Sequence, residues 1–147
     1  LVSGVSRVNN VVCARSFQTS VTCIDAMKGS NLWSRAAQGH VGLSANEVAV
    51  FGSESDGKLV AWQAGSGQVA WQSEVLRFRG PTALNWQSGQ LIVGDALGWV
   101  HWLDANNGQI VGRIQVDASG VAMTPVRVGQ NWVVVTRSGL VQALRAE

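Results

Sequence analysis

Four copies of one pattern, about 40 residues apart, restrict the folds open to this chain more than anything else in it. Ile24-Asp25, Trp62-Gln63, Leu103-Asp104 and Leu144-Arg145 occupy equivalent places, at spacings of 38, 41 and 41 residues. Five residues before the first member of each pair stands a turn residue: Thr19, Gly57, Gly98 or Gly139. Five residues after it come Gly29, Gly67 and Gly108; Trp33 and Trp71 follow their glycines by four, where the third copy has Gly112. Self-similarity at a fixed period of this length marks stacked supersecondary units, each too small to bury its apolar face alone.

Within each period the pattern is that of short strands. Val11 to Ala14, Glu47 to Phe51, Leu91 to Val93 and Trp132 to Val135 are β-branched and aromatic runs. Each is followed by a turn cluster and a second run, Val21 to Ile24, Leu59 to Trp62, Trp99 to Leu103 and Leu140 to Leu144. A third run ends at the Trp position, and an opening run precedes each unit: Leu1 to Val5, Val41 to Ser44, Pro81 to Trp86 and Val121 to Val128. Four strands per roughly 40 residues is the period of a β-propeller blade. No segment carries the 3.6-residue period of an amphipathic helix. The expectation is an all-β propeller fragment of about four four-stranded antiparallel blades, near 1–38, 39–76, 77–117 and 118–147, the last lacking its outer strand. A ring closed by the chain's own N-terminal strand would show such a final blade, so the chain is read as roughly half of a larger ring, with upstream blades missing and its end near a natural C-terminus. It begins at Leu1, which fits a processed or truncated piece.

Composition narrows the class. Of 147 residues 46% are hydrophobic and only 14% charged, too apolar for a disordered chain. Apolar runs such as Trp132 to Val135 are only four long, far short of a membrane helix. A net charge of +2 with scattered arginines is no nucleic-acid signature.

The repeated motif runs Cys23-Ile24-Asp25-Ala26-Met27-Lys28-Gly29-Ser30-Asn31-Leu32-Trp33, then Ala61-Trp62-Gln63-Ala64-Gly65-Ser66-Gly67-Gln68-Val69-Ala70-Trp71. Asp25 and Asp104 at a strand end accept turn N–H groups, and Gly29, Gly67 and Gly108 take positive φ. Trp33 and Trp71 lie on outer strands, where a large ring can wedge between blades and give its N–H to a backbone acceptor. The repeated position of Asp25 and Asp104 makes them turn caps, not a catalytic pair, and Asp95 is read likewise. His40 and His101 fall in different repeats, and His101 is expected to be packed or at the rim. No catalytic residue, metal site or cofactor site is assigned. Cys13 and Cys23 lie on one predicted hairpin. A three-residue turn centred on Gln18 places them opposite each other, within reach of a disulfide. A two-residue turn at Gln18-Thr19 offsets them as buried free thiols, and Phe17 and Ser20 as turn flanks favour that register.

The motif resembles the tryptophan-docking motif of quinoprotein-type propellers. Leu91 to Leu103, with Val116 to Gly120 and Thr124-Pro125-Val126, is similar to the C-terminal blades of the BamB family, the propeller lipoproteins of the outer-membrane β-barrel assembly machinery. The likeness spans essentially the whole chain. It implies an eight-bladed ring at the periplasmic face of the bacterial outer membrane, tied to the membrane only by a lipid anchor outside this segment. It also implies a non-enzymatic scaffold docked on the periplasmic domains of the insertase subunit, with unfolded outer-membrane proteins as a further partner. The family's known insertase-contacting loops precede the region matched, so none of their residues is assigned here. The alternative is a blade fragment of a pyrroloquinoline-quinone-dependent dehydrogenase, whose adjacent-cysteine pair this segment lacks.

Arg77-Phe78-Arg79, in an interblade linker before Pro81, is the surface candidate for partner binding, since Arg and aromatic residues are enriched at interface hot spots. The competing expectation is a Phe78 packed under the loop between solvated arginines. In the binding reading, replacing both arginines with Ala should weaken partner binding without shifting thermal stability. The open ends of a half-ring also lead to the expectation that the isolated fragment self-associates.

Overall fold

The computed structural model describes residues 5–145, and among them there are four antiparallel sheets and no helix. The first sheet holds β1 (Ser6–Val8), β2 (Val11–Ser16), β3 (Ser20–Asp25) and β4 (Asn31–Ala36). The second holds β5 (Ser44–Ala45), β6 (Ala49–Ser53), β7 (Leu59–Gln63) and β8 (Val69–Ser73). The third holds β9 (Asn85–Gln87), β10 (Gln90–Gly94), β11 (Trp99–Leu103) and β12 (Ile110–Gln115). The fourth has three strands, β13 (Val126–Val128), β14 (Asn131–Val135) and β15 (Val141–Leu144). Strands follow chain order within every sheet, and β5 contacts both β1 and β9, so the first strands converge on a hub. This is a four-blade β-propeller arrangement whose last blade has three strands.

The opening strands are shorter and later than the sequence pattern predicts. Leu1 to Gly4 lie outside the described residues, β1 begins at Ser6, and the runs from Val41, Pro81 and Val121 pair only at their ends. Away from those ends the pairing is reduced to single links, such as the Val121–Thr136 bridge and the Thr82 N–H on the Gly94 carbonyl at 2.8 Å.

Three apolar cores lie between the blades. Cys13, Val21, Cys23 and Trp33 of the first blade meet Val50, Val60 and Trp62 of the second. Phe51, Leu59 and Ala61 meet Leu91, Val93 and Leu103 of the third, and Ile92 and Val100 meet Trp132, Val134 and Leu144 of the fourth. Alternate residues of β6 and β7 therefore feed two different cores. This is why those strands read as unbroken apolar runs, as expected of strands covered on both faces. The outer strands are mostly exposed, and Trp33 is the one buried residue of β4.

The cysteines correct the favoured hairpin register. Ser16 pairs with Ser20 and Cys13 with Cys23, so the loop is the three-residue one, Phe17-Gln18-Thr19, with Gln18 at φ +48°. The two cysteines are bonded to each other, with Cα atoms 4.1 Å apart. A non-glycine residue in the left-handed region is what the two-residue assignment left out. Thr19 Oγ1 bonding the Phe17 carbonyl at 2.9 Å and Gln18 N bonding the Gly39 carbonyl at 2.9 Å fix the loop in that form. The link closes a short loop in the chain, so Cys13→Ala/Cys23→Ala should lower stability by about 2–3 kcal/mol in denaturant unfolding. Native protein should also show no thiol titratable by Ellman's reagent.

Candidate interaction surface

The docking residues assemble as an interblade clasp. Trp33 leaves β4, donates Nε1–H to the Ala64 carbonyl of the next blade at 2.8 Å and lies over Gly67. Trp71 repeats this from β8, with the Ala105 carbonyl at 2.7 Å and Gly108 beneath the ring. A Cβ on either glycine would stand 2.4 Å from the indole, and both glycines have positive φ, +68° and +71°. Gly29, at the equivalent place in the first blade, has open space beside it. Asp25 Oδ1 accepts the N–H groups of Met27 and Lys28 at 2.9 and 3.1 Å, and Asp104 Oδ1 accepts that of Asn106 at 2.9 Å. Arg35, which the sequence did not single out, adds Nε and Nη2 bonds of 2.9 Å to the Gly67 and Ser66 carbonyls.

Just before each docking position the outer strand carries one extra residue, a bulge, at Leu32, Ala70 and Val111. A bulge bends the strand and re-aims the following side chain. Cys23 then faces Trp33 and Ala61 faces Trp71, but in the third blade Trp102 faces Gly112. Large and small have exchanged strands, and Trp102 packs on the core shared with the fourth blade. The pairing of small with large across this register was the available signal for the exchange.

The linker before Pro81 treats its two arginines differently. Arg79 places Nε and Nη2 each 2.7 Å from Asp95 Oδ2, and Asp95 is fully buried. His101 Nε2 lies 2.9 Å from the same oxygen, while Oδ1 accepts the N–H groups of Leu97 and Trp99. Burial pushes the Asp95 carboxyl up, but the bonds from His101, Trp99, Arg79 and Leu97 outweigh it and hold the group down at about 2. Asp95 is a turn cap, as expected, and also the anchor of a buried ionic network that joins the linker to β11. Arg79 is therefore structural, which corrects the expectation that both arginines are dispensable for stability. Arg77 bridges Asp56 at 3.2 Å and Glu74 at 3.0 Å, with its guanidinium 5.0 Å from the Phe78 ring. Phe78 itself is 80% exposed at φ +60°, its N–H bonded to the Asp56 carbonyl at 2.6 Å. The ring stands out in solvent, as a surface candidate would and not packed under the loop, while the arginines beside it are paired instead of merely solvated.

His40 is exposed and His101 fully buried. Among the described residues no group of three or more His, Cys, Asp or Glu converges as metal ligands. Asp117, unremarked in the sequence, accepts the hydroxyl of Ser138, the backbone N–H and hydroxyl of Ser119, and the hydroxyl of Thr136, which hold its carboxyl well below the usual range. It ties the next interblade linker to the β14–β15 turn.

Repeating small antiparallel sheets, clasped by an indole over a glycine of the next blade, define a tryptophan-docked propeller of the quinoprotein type. The family model for outer membrane protein assembly factor BamB matches residues 1–73. Outer membrane protein assembly factor BamB of Burkholderia pseudomallei is 29% identical over 98% of this chain and 40% of its own. That of Taylorella asinigenitalis is 33% identical over 94% of this chain and 37% of its own. The crystal structure of BamB from Moraxella catarrhalis superposes with a TM-score of 0.88 at 24% identity, covering 96% of this chain and 42% of that one. The chain belongs to the BamB family, and it spans about two fifths of the length of these relatives. A quinohemoprotein alcohol dehydrogenase from Comamonas testosteroni shares the fold at TM-score 0.62 and 20% identity, over 77% of this chain.

Two outcomes follow. Gly108→Ala forces a Cβ into the Trp71 ring at a left-handed backbone position, and should lower the unfolding free energy by about 2–3 kcal/mol, read by denaturant titration. Asp95 titrates at about 2 when folded against an ordinary 3.8, so its contribution is complete above pH 4 and lost as the pH falls toward 2. That loss amounts to about 2 kcal/mol, and Asp95→Asn should flatten the stability–pH curve across this window.

Proposed function

We propose that the chain is a scaffolding blade set of an outer-membrane protein assembly factor, working without catalysis at the periplasmic face of the outer membrane. Its partner in this reading is the insertase subunit of the assembly complex, held through that subunit's periplasmic domains, with unfolded outer-membrane proteins as a second class of partner. Family membership supports the assembly role. The observation that carries the contact surface is Phe78, an exposed aromatic in a left-handed conformation, braced by Arg77 on one side and by the Arg79–Asp95 pair on the other. A bulky residue at positive φ costs about 1–3 kcal/mol, and such strain gathers at functional sites. A rigid aromatic presented to solvent also loses little entropy when a partner covers it. The dehydrogenase reading has only the shared fold in its favour.

Calorimetric titration of the chain with the purified periplasmic domains tests this. Saturable one-to-one binding is expected, and Phe78→Ala should weaken it by about 30-fold, an interface hot spot's share, while leaving the melting temperature unchanged. Arg79→Ala, in contrast, should lower the melting temperature, because it leaves the buried Asp95 charge unpaired. A folded chain that does not bind overturns the docking reading, and full affinity in Phe78→Ala moves the contact off this loop.

A further inference from the structure

The third docking turn differs from the other two in one residue that has a chemistry of its own. Before the glycine the first two turns carry Lys28 and Ser66, and the third carries Asn107. Asn107 is the one asparagine of the sequence that precedes a glycine. A backbone nitrogen can attack the side-chain amide of the asparagine before it and close a cyclic imide, and glycine, with no side chain, obstructs that attack least. The Asn107 side chain is exposed, while Gly108 is buried beneath Trp71.

The folded turn engages both reacting groups in other contacts. The Gly108 N–H, which must be released before its nitrogen can attack, donates to the Asp104 carbonyl at 2.7 Å. Asn107 Oδ1 accepts the Gln109 N–H at 2.9 Å and Nδ2 donates to Asp104 Oδ2 at 3.2 Å, so the amide is tied at both ends. The Trp71 ring lies on Gly108, and its Nε1–H holds the Ala105 carbonyl of the same turn at 2.7 Å. Freeing the Gly108 nitrogen therefore means lifting this turn away from Trp71, which opens the clasp between the second and third blades.

We propose that Asn107 is a self-modifying site gated by this clasp, which converts to isoaspartate when the seam opens. The Gly108 nitrogen bonds to Asn107 Cγ and gives its proton to solvent. The Cγ–Nδ2 bond breaks, and the amide nitrogen leaves as ammonia after taking a proton from water. Water then opens the cyclic imide. Attack at the Asn107 backbone carbonyl breaks its bond to the Gly108 nitrogen, so the chain runs on through Cγ, one methylene longer, and that carbonyl becomes a carboxylate. Attack at Cγ breaks the new bond and leaves an ordinary aspartate. The balance needs only water. The clasp has no room for the longer chain, since even a Cβ on Gly108 would stand 2.4 Å from the Trp71 indole. Opening is thereby made permanent, and the chain keeps a chemical record of it.

The full chain is incubated in mildly alkaline buffer, folded and in guanidinium chloride, and its peptides are followed by mass spectrometry and by methylation with a purified isoaspartyl methyltransferase. The mass change of deamidation separates Asn107 from isomerisation at Asp56-Gly57, which changes no mass. Isoaspartate should form at Asn107 in the denatured chain and at least about tenfold more slowly in the folded one, because only the open fraction reacts. Trp71→Phe, which keeps a ring but loses the bond to Ala105, should speed the folded reaction about fivefold, one hydrogen bond's share. Trp33→Phe, the matched loss in the first seam, should leave the rate at Asn107 unchanged. The isoaspartyl chain, separated by ion exchange, should melt at a lower temperature than the unmodified one. A folded chain that reacts as fast as the denatured one would overturn the assignment, as would a denatured chain left unmodified. Equal acceleration by Trp33→Phe and Trp71→Phe, or an isoaspartyl chain that melts like the original, would overturn it too.

Discussion

Everything in this fold leans on the clasp by which an indole of one blade lies on a glycine of the next. A sheet of four strands, most of them three to six residues long, is barely stable alone, and its two apolar faces must both be covered by neighbours. Face-to-face packing of twisted sheets supplies burial but little to fix their relative position. The indole adds both area and direction. Its ring is held against Gly67 or Gly108, and its one donor reaches a single carbonyl, Ala64 or Ala105. The other features of the repeat serve that contact: the bulge aims the ring, the Asp cap shapes the turn that offers the carbonyl, and the glycine leaves the room.

The third seam shows how far that arrangement bends. Opposite residues on neighbouring strands share one patch of interblade space, so moving the indole from β12 to Trp102 on β11 conserves much of the buried volume. Position is not conserved. The ring now starts from a central strand, opposite the bulge instead of just after it, and among the described residues its N–H has no acceptor. The exchanged ring keeps the buried part of the seam packed, so a repeat can move its large residue from one strand to its neighbour without loosening the joint.

Those features were legible in the sequence to different depths. The blade period, the strand runs, the Asp caps and the roles of Trp33 and Trp71 could be read because they depend on local turn chemistry repeated in register. The Cys13–Cys23 bond could not, because it turns on whether Gln18 accepts a left-handed conformation, and that is decided by contacts with Gly39 in a linker outside the hairpin. The Arg79–Asp95–His101 network was hidden for a related reason. Each residue has a sufficient local explanation as linker, cap or strand member, and only the folded linker brings them to one buried oxygen.

That network also bears on why Phe78 stands where it does. An exposed aromatic contributes no burial to the fold, and its left-handed backbone works against it. What keeps it there is not its own packing but that of its neighbours: Leu76 is wholly buried two residues before it, and Arg79 is fastened to buried Asp95 one residue after. With the chain fixed on both sides, the residue between has little freedom beyond the orientation of its ring, and Arg77 lies against that ring. Folding energy drawn from the seam between the second and third blades is thus used to hold one side chain out of the protein. The identity of the ring itself adds little to the burial that fixes it there.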